Sequence, residues 1–244
     1  MKNILAGICF GVIVPGAFGQ GNVNWTGPNF TAFTVQTNAT VYSPYAGEEF
    51  GTSPGGTIGG PAGAVTAGNG MGYYFELLIG SVYTGTVESA PASLAGFASW
   101  SDSGLGATNA PSGNGRAIVV NPNVGATVSQ LSTTVSNNIM VVGWSANLGS
   151  TWSAALASLE AGVPQVNGYA FFGVSSVGYI EGAPAATFLG AAVFAPTATS
   201  FGQPINSLNM QLYAVFTPWI VPEPGTMALA ALGGASLLFS RRKQ

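Results

Sequence analysis

The sequence predicts an all-β protein: a β-sandwich of jelly-roll-like type with one short helix in its body. Three observations carry that reading. Short strand-like runs recur between clusters of Gly, Pro and Asn, the punctuation of sandwiches and barrels. Hydrophobic residues make up 47% of the chain and charged ones only 5%, so low charge is not a sign of disorder here. The stretch 20–220 fits a single sandwich, a class that runs past the usual domain size without splitting.

Residues 39–43 form the first strand-like run, and 73–79 is the clearest. In the latter Phe75, Leu77 and Ile79 share one face, and Tyr74, Glu76 and Leu78 the other. Runs at 116–120 and 126–131 are separated by Asn121-Pro122-Asn123, a turn signal. Residues 139–144 and 169–174 are almost wholly apolar, as expected of central strands covered on both sides. The run 211–216 alternates again and closes the sheet before Pro218. Between them, Ser150 is placed to cap a helix over 151–161 that Gly162 stops. Its stripe of Trp152, Ala155, Leu156 and Leu159 lies on the sheet, while Glu160 faces solvent. The segment 51–72 holds nine glycines in 22 residues and no charge, a long surface loop without dinucleotide or P-loop spacing.

The two ends are of a different kind. Pro222-Glu223-Pro224 is followed by an apolar run over 227–239 and then by Arg241-Arg242-Lys243. This order resembles the tail of PEP-CTERM proteins, exported bacterial proteins with a C-terminal sorting signal. The resemblance implies recognition by an exosortase, a membrane-embedded transpeptidase-like enzyme, and removal of the tail at or near Pro222-Glu223-Pro224. It also implies a bacterium that makes extracellular polysaccharide. The physical properties agree. Thirteen residues of helix span about 20 Å against a hydrocarbon core of roughly 30 Å. Such a hydrophobic helix suits a transient hold in the inner membrane, a permanent anchor being the alternative. The basic cluster Arg241, Arg242 and Lys243 stays on the cytoplasmic side, and the prolines keep the motif extended.

At the other end Lys2, an apolar stretch over 4–18 and the small residues Ala17 and Gly19 read as a signal helix. Cleavage between Gly19 and Gln20 is expected, which makes the Sec translocon and signal peptidase partners in export. The chain thus divides into a signal peptide (1–19), a body (20–220) and a sorting tail (221–244).

Removing the ends leaves seven acids (Glu48, Glu49, Glu76, Glu88, Asp102, Glu160 and Glu181) against Arg116 alone, a net charge of −6. One arginine cannot displace the counterions of a nucleic acid, nor hold an anionic membrane surface. The single Cys lies at position 9, so the body has no disulfide and packing must hold it. With no histidine in the chain, a serine triad is excluded, and zinc lacks its usual ligands. No cofactor or metal site is expected, although calcium at Glu48, Glu49 or Asp102 stays open. A glycosidase needs two facing carboxylates, and the acids read as solvated surface groups instead. No catalytic residue is assigned. Trp144 and Trp152 lie among apolar neighbours and read as core. Trp25 and Trp100 have polar neighbours, are expected to be exposed, and are the candidates for sugar contact. The expected function is a non-enzymatic structural or adhesive component of the cell surface or exopolysaccharide matrix. A carbohydrate-binding module is the alternative, with an enzyme acting on polysaccharide below both.

Overall fold

A computed structural model describes residues 20–26, 34–45, 56–57, 72–110, 117–118, 125–162, 170–184, 190–206 and 209–215. The signal helix, Gly19, Glu48, Glu49, Arg116, most of the glycine-rich loop and the whole sorting tail lie outside them. Among the described residues no helix is long and apolar enough to cross a membrane.

Among the described residues the body is all-β, as the sequence predicts, with two sheets and one short helix. The strands are β1 (Gln20–Thr26), β2 (Thr34–Tyr42), β3 (Gly56–Thr57), β4 (Tyr73–Val82), β5 (Ser101–Asn109), β6 (Ala117–Ile118) and β7 (Ala126–Ser132). There follow β8 (Asn137–Ser145), β9 (Ala170–Val174), β10 (Gly178–Ile180), β11 (Ala191–Phe194), β12 (Gly202–Gln203) and β13 (Asn209–Val215). The small sheet has the order β11-β1-β7, and the large one runs β3-β2-β13-β9-β8-β4-β5-β6, with β10 and β12 attached beside β8. Two pairings are parallel, β1 with β11 and β2 with β13, joining segments far apart in sequence.

The alternation read in the sequence becomes two cores, one on each face of the large sheet. Phe75, Leu77 and Ile79 of β4, with Ile139 and Val141 of β8, pack against Val23, Val128 and Val193 of the small sheet. Leu78, Met140, Val142 and Trp144 point the other way, into a second core closed by helix α1 (Trp152–Glu160) and a 3-10 turn at Leu94–Ser99. Strand β8 is buried along nearly its whole length because both of its faces are covered. Each fully buried large apolar side chain contributes about 1.5–3 kcal/mol, which is what holds a disulfide-free body together.

The helix begins one residue later than expected. Thr151, not Ser150, is its cap, its hydroxyl accepting from the Ala154 N–H at 3.3 Å. Gly162 ends it with φ of 57°, a conformation that favours glycine. Trp152, Ala155 and Leu159 are buried on the sheet side and Glu160 is exposed, as the stripe predicts. Gly149 sits at φ 129°, and its carbonyl accepts from Trp144 Nε1 at 2.8 Å, fixing the turn that delivers the helix.

Trp25 and Trp100 differ from expectation, for both are buried, at 4% and 7% exposure. On a strand the residues at i−1 and i+1 face the opposite side, so polar neighbours in sequence do not make Trp25 outward-facing. It packs in the core between the sheets and stacks on Phe194 with centroids 5.9 Å apart. Trp100 leaves the 3-10 turn into the second core, over Gly80, where an added Cβ would meet its ring at 2.9 Å. Trp144 and Trp152 are core, as expected.

Candidate functional site

The site grows from an irregularity in β5. Its sequence, Ser-Asp-Ser-Gly-Leu-Gly-Ala-Thr-Asn, pairs antiparallel with β4, but Glu76 faces Gly106 whereas Leu78 faces Asp102. The extra residues form a bulge, which bends the strand and re-aims its side chains. Gly104 takes φ of 70° at its apex, and Asp102 stabilises the bend by accepting the Gly104 N–H at 2.8 Å. Gln130 of β7 ties the bulge down by donating to the Asp102 carbonyl at 2.8 Å.

Beside the bulge lies a cleft of about 560 Å³. Val23, Asn24 and Trp25 come from β1, Tyr74, Phe75 and Glu76 from β4, and Gly104 to Thr108 from the bulged strand. Trp144, Ser150, Gly125 and Ala126 complete the lining. Its walls are aromatic and apolar, with a few polar groups among them, the usual make-up of a small-ligand site.

Glu76 is the electrostatic centre. Glycine at position 106 leaves room for its carboxyl, since a Cβ there would meet Oε2 at 2.9 Å. Burial, then the neighbouring charge of Asp102 and a hydrogen bond to it, push the Glu76 carboxyl up to about 8. Near neutral pH it therefore carries a proton and donates it to Asp102. Its Oε1 is buried with no hydrogen-bond partner among the described residues. The described residues contain no lysine, arginine or histidine to serve as a second catalytic group.

Glu76 is thus no solvated surface acid, which corrects the sequence reading. The signal for it was present, because alternation places it on one face with Tyr74 and Leu78. What the sequence does not show is Asp102 beside it, brought there by a bulge 26 positions away. Glu88 is engaged elsewhere, its Oε2 accepting from the Ser81 N–H and hydroxyl, each at 3.2 Å. Of the two tryptophans proposed for sugar contact, Trp25 lines the cleft and Trp100 is not among its lining residues.

The raised carboxyl sets a pH dependence. The folded chain keeps a proton that the unfolded chain releases near 4.5, so the fold binds more protons between the two values. Stability is full below pH 4.5, falls as pH rises toward 8, and levels off above it. An unscreened shift of this size would be worth about 5 kcal/mol, and partial exposure of Glu76 reduces it to about 2 kcal/mol. Glu76→Gln is expected to flatten this slope in chemical denaturation between pH 5 and 9. A slope unchanged in the variant would show that another group carries it.

Residues 221–243 match the PEP-CTERM protein-sorting motif. The chain carries that sorting signal. The match spans Pro222, Glu223 and Pro224 and ends on Lys243, so the tripeptide, apolar run and basic cluster all fall inside it. The PEP-CTERM tail marks an exported protein that is processed at the membrane by an exosortase. No curated protein and no solved structure matches the chain.

Proposed function

We propose that this exported protein is a non-enzymatic component of the cell surface or extracellular matrix that holds an exopolysaccharide strand in the cleft beside β5. The observation that carries the reading is the join of aromatic walls with a protonated acid. Tyr74, half-buried on the cleft wall, offers apolar surface to a sugar ring, and the half-buried carboxyl of Glu76 is the polar group beside it for a sugar hydroxyl. A neutral Glu76 lets a neutral or acidic glycan approach at a lower electrostatic cost than two ionised carboxylates would impose. The body's formal net charge of −6, or −5 with Glu76 protonated, keeps it soluble beside an acidic polymer. A polysaccharide-cleaving enzyme ranks below a binding module.

The test is retention of the purified chain on exopolysaccharide from the bacterium that makes it. Ser150 is exposed and lines the cleft, so Ser150→Trp blocks the cleft without disturbing a core. Binding is expected to be saturable, and to fall at least tenfold in Ser150→Trp and in Trp25→Ala, while Trp100→Ala retains it if folded. Equal retention of parent and Ser150→Trp would overturn the cleft as the binding site. Turnover of the polymer, lost in Glu76→Gln, would overturn the non-enzymatic reading.

A further inference from the structure

Away from the cleft, where β4 ends, two tyrosines are stacked face to face. Tyr83 and Tyr179 have ring centroids 3.6 Å apart and planes within 2° of parallel. Aromatic pairs in proteins more often sit 4.5–7 Å apart, offset or edge to face. The topology forces the approach. Tyr83 follows β4 and is held by its N–H donating to the Ser136 carbonyl at 2.9 Å, while Tyr179 pairs with Asn138 from the opposite side of β8. The rings thus meet across β8 from the strands on either side of it. Neither residue is buried. Their hydroxyls share a hydrogen bond, which raises the Tyr83 phenol above its ordinary value. Close parallel planes set the ring carbons of one tyrosine face to face with those of the other.

We infer that Tyr83 and Tyr179 form a built-in cross-linking site, at which one-electron oxidation joins the two rings as a dityrosine. Each phenol gives up one electron and one proton to become a phenoxyl radical, whose unpaired spin reaches the ortho carbons. The radicals pair to form one carbon–carbon bond, and both rings recover their aromaticity by moving the ortho hydrogens back to oxygen. The net loss is two hydrogens. Hydrogen peroxide acting through a peroxidase is the oxidant class, and it is reduced to two waters. An exported body without cysteine has no disulfide to close its fold, and this bond would link positions 96 residues apart. Such a closure restrains the unfolded chain as a disulfide does.

Other tyrosines are placed differently. Tyr73 is buried, and the Tyr45 hydroxyl donates to the Pro91 carbonyl at 2.7 Å. Among the described residues no other tyrosine pair is stacked at this distance.

The chain offers a simple readout. Arg116 is the sole tryptic site between residues 83 and 179, so trypsin acting on the denatured protein separates the two tyrosines. Dilute full-length chain treated with peroxidase and peroxide is expected to lose two hydrogens and gain dityrosine fluorescence. Its tryptic halves should then stay joined on a denaturing gel. Tyr83→Phe and Tyr179→Phe, which keep the rings, should each abolish the link, while Tyr213→Phe leaves it intact. Halves that separate in the oxidised parent would overturn the inference. So would a link that survives in Tyr179→Phe, or dityrosine found only between two chains.

Discussion

Replacing Trp152 with alanine is expected to lower the stability of the body by about 3–5 kcal/mol, the cost of emptying a large aromatic site in a packed core. Trp152 opens α1 and is 5% exposed. Its ring meets Phe97 edge-on at 5.2 Å, stacks on Phe172 at 6.0 Å and tilts against Trp144 at 5.9 Å. It therefore joins the helix, the 3-10 turn and strands β8 and β9 in one cluster. A nine-residue helix is too short to hold itself in water, so the loss of this anchor frees α1 as well as leaving a void. The core between the two sheets contains none of these four rings, and its sheet signal should persist in mild denaturant after the helix has gone. Denaturant midpoints of the parent, Trp152→Phe and Trp152→Ala measure the effect. The phenylalanine variant should recover more than half of it. A shift below about 1 kcal/mol in Trp152→Ala would mean that the helix does not depend on this contact.

Gly182→Ala is expected to destabilise by about 4 kcal/mol, for a steric reason at the backbone rather than in the core. Gly21 of β1 and Gly182 lie backbone to backbone, and a Cβ on Gly182 would overlap the Gly21 Cα and come within 2.8 Å of its carbonyl carbon. Backbone atoms cannot swing aside as a flexible side chain would. The approach also carries a pair of hydrogen bonds, Asn22 N–H to the Ala183 carbonyl at 2.8 Å and Ala183 N–H to the Asn22 carbonyl at 2.9 Å. Each contributes about 1 kcal/mol, and parting the chains weakens both. Strand β1 carries Val23, Asn24 and Trp25 into the cleft, so the same change should also reduce polysaccharide retention. Hydrogen exchange is the check: amides of β1 should lose protection before those of β8. Parent-like protection in β1 would show that the approach relaxes without cost.

The parts of the fold legible in the sequence are those whose local pattern matches their burial. Strands β4, β8 and β9 carry apolar residues on both faces because both faces are covered, and the runs found at 73–79, 139–144 and 169–174 coincide with them. The helix was legible through its stripe and its glycine stop. Strands β1 and β5 were not, being rich in Gly, Ser, Asn and Thr. They exist because a partner strand supplies the ladder, β11 and β7 for one and β4 for the other, and no local pattern reports a distant partner.

The same division holds for the site. Trp25 reads as exposed beside Asn24 and Thr26, whereas on a strand sequence neighbours lie on the other face and do not report the environment of the ring, which is buried. Glu76 lies between Tyr74 and Leu78 on a shared face, and that placement marks it as a half-buried acid. The protonation of Glu76 comes first from its burial and then from Asp102, whose position depends on a bulge that only the paired strands reveal. The sorting tail is the opposite case. It is read as a linear stretch of sequence, so its tripeptide, apolar run and basic end are complete without any fold.

Delivery and trimming are tested most directly by the intact mass of the protein recovered from outside the producing cell. The expected product begins at Gln20, ends at or near Pro222-Glu223-Pro224 and lacks Arg241, Arg242 and Lys243. In cells without the exosortase the chain should keep its tail and stay with the membrane. An extracellular protein that still carries Arg241-Arg242-Lys243, or a mass unchanged by loss of the exosortase, would contradict sorting through this motif.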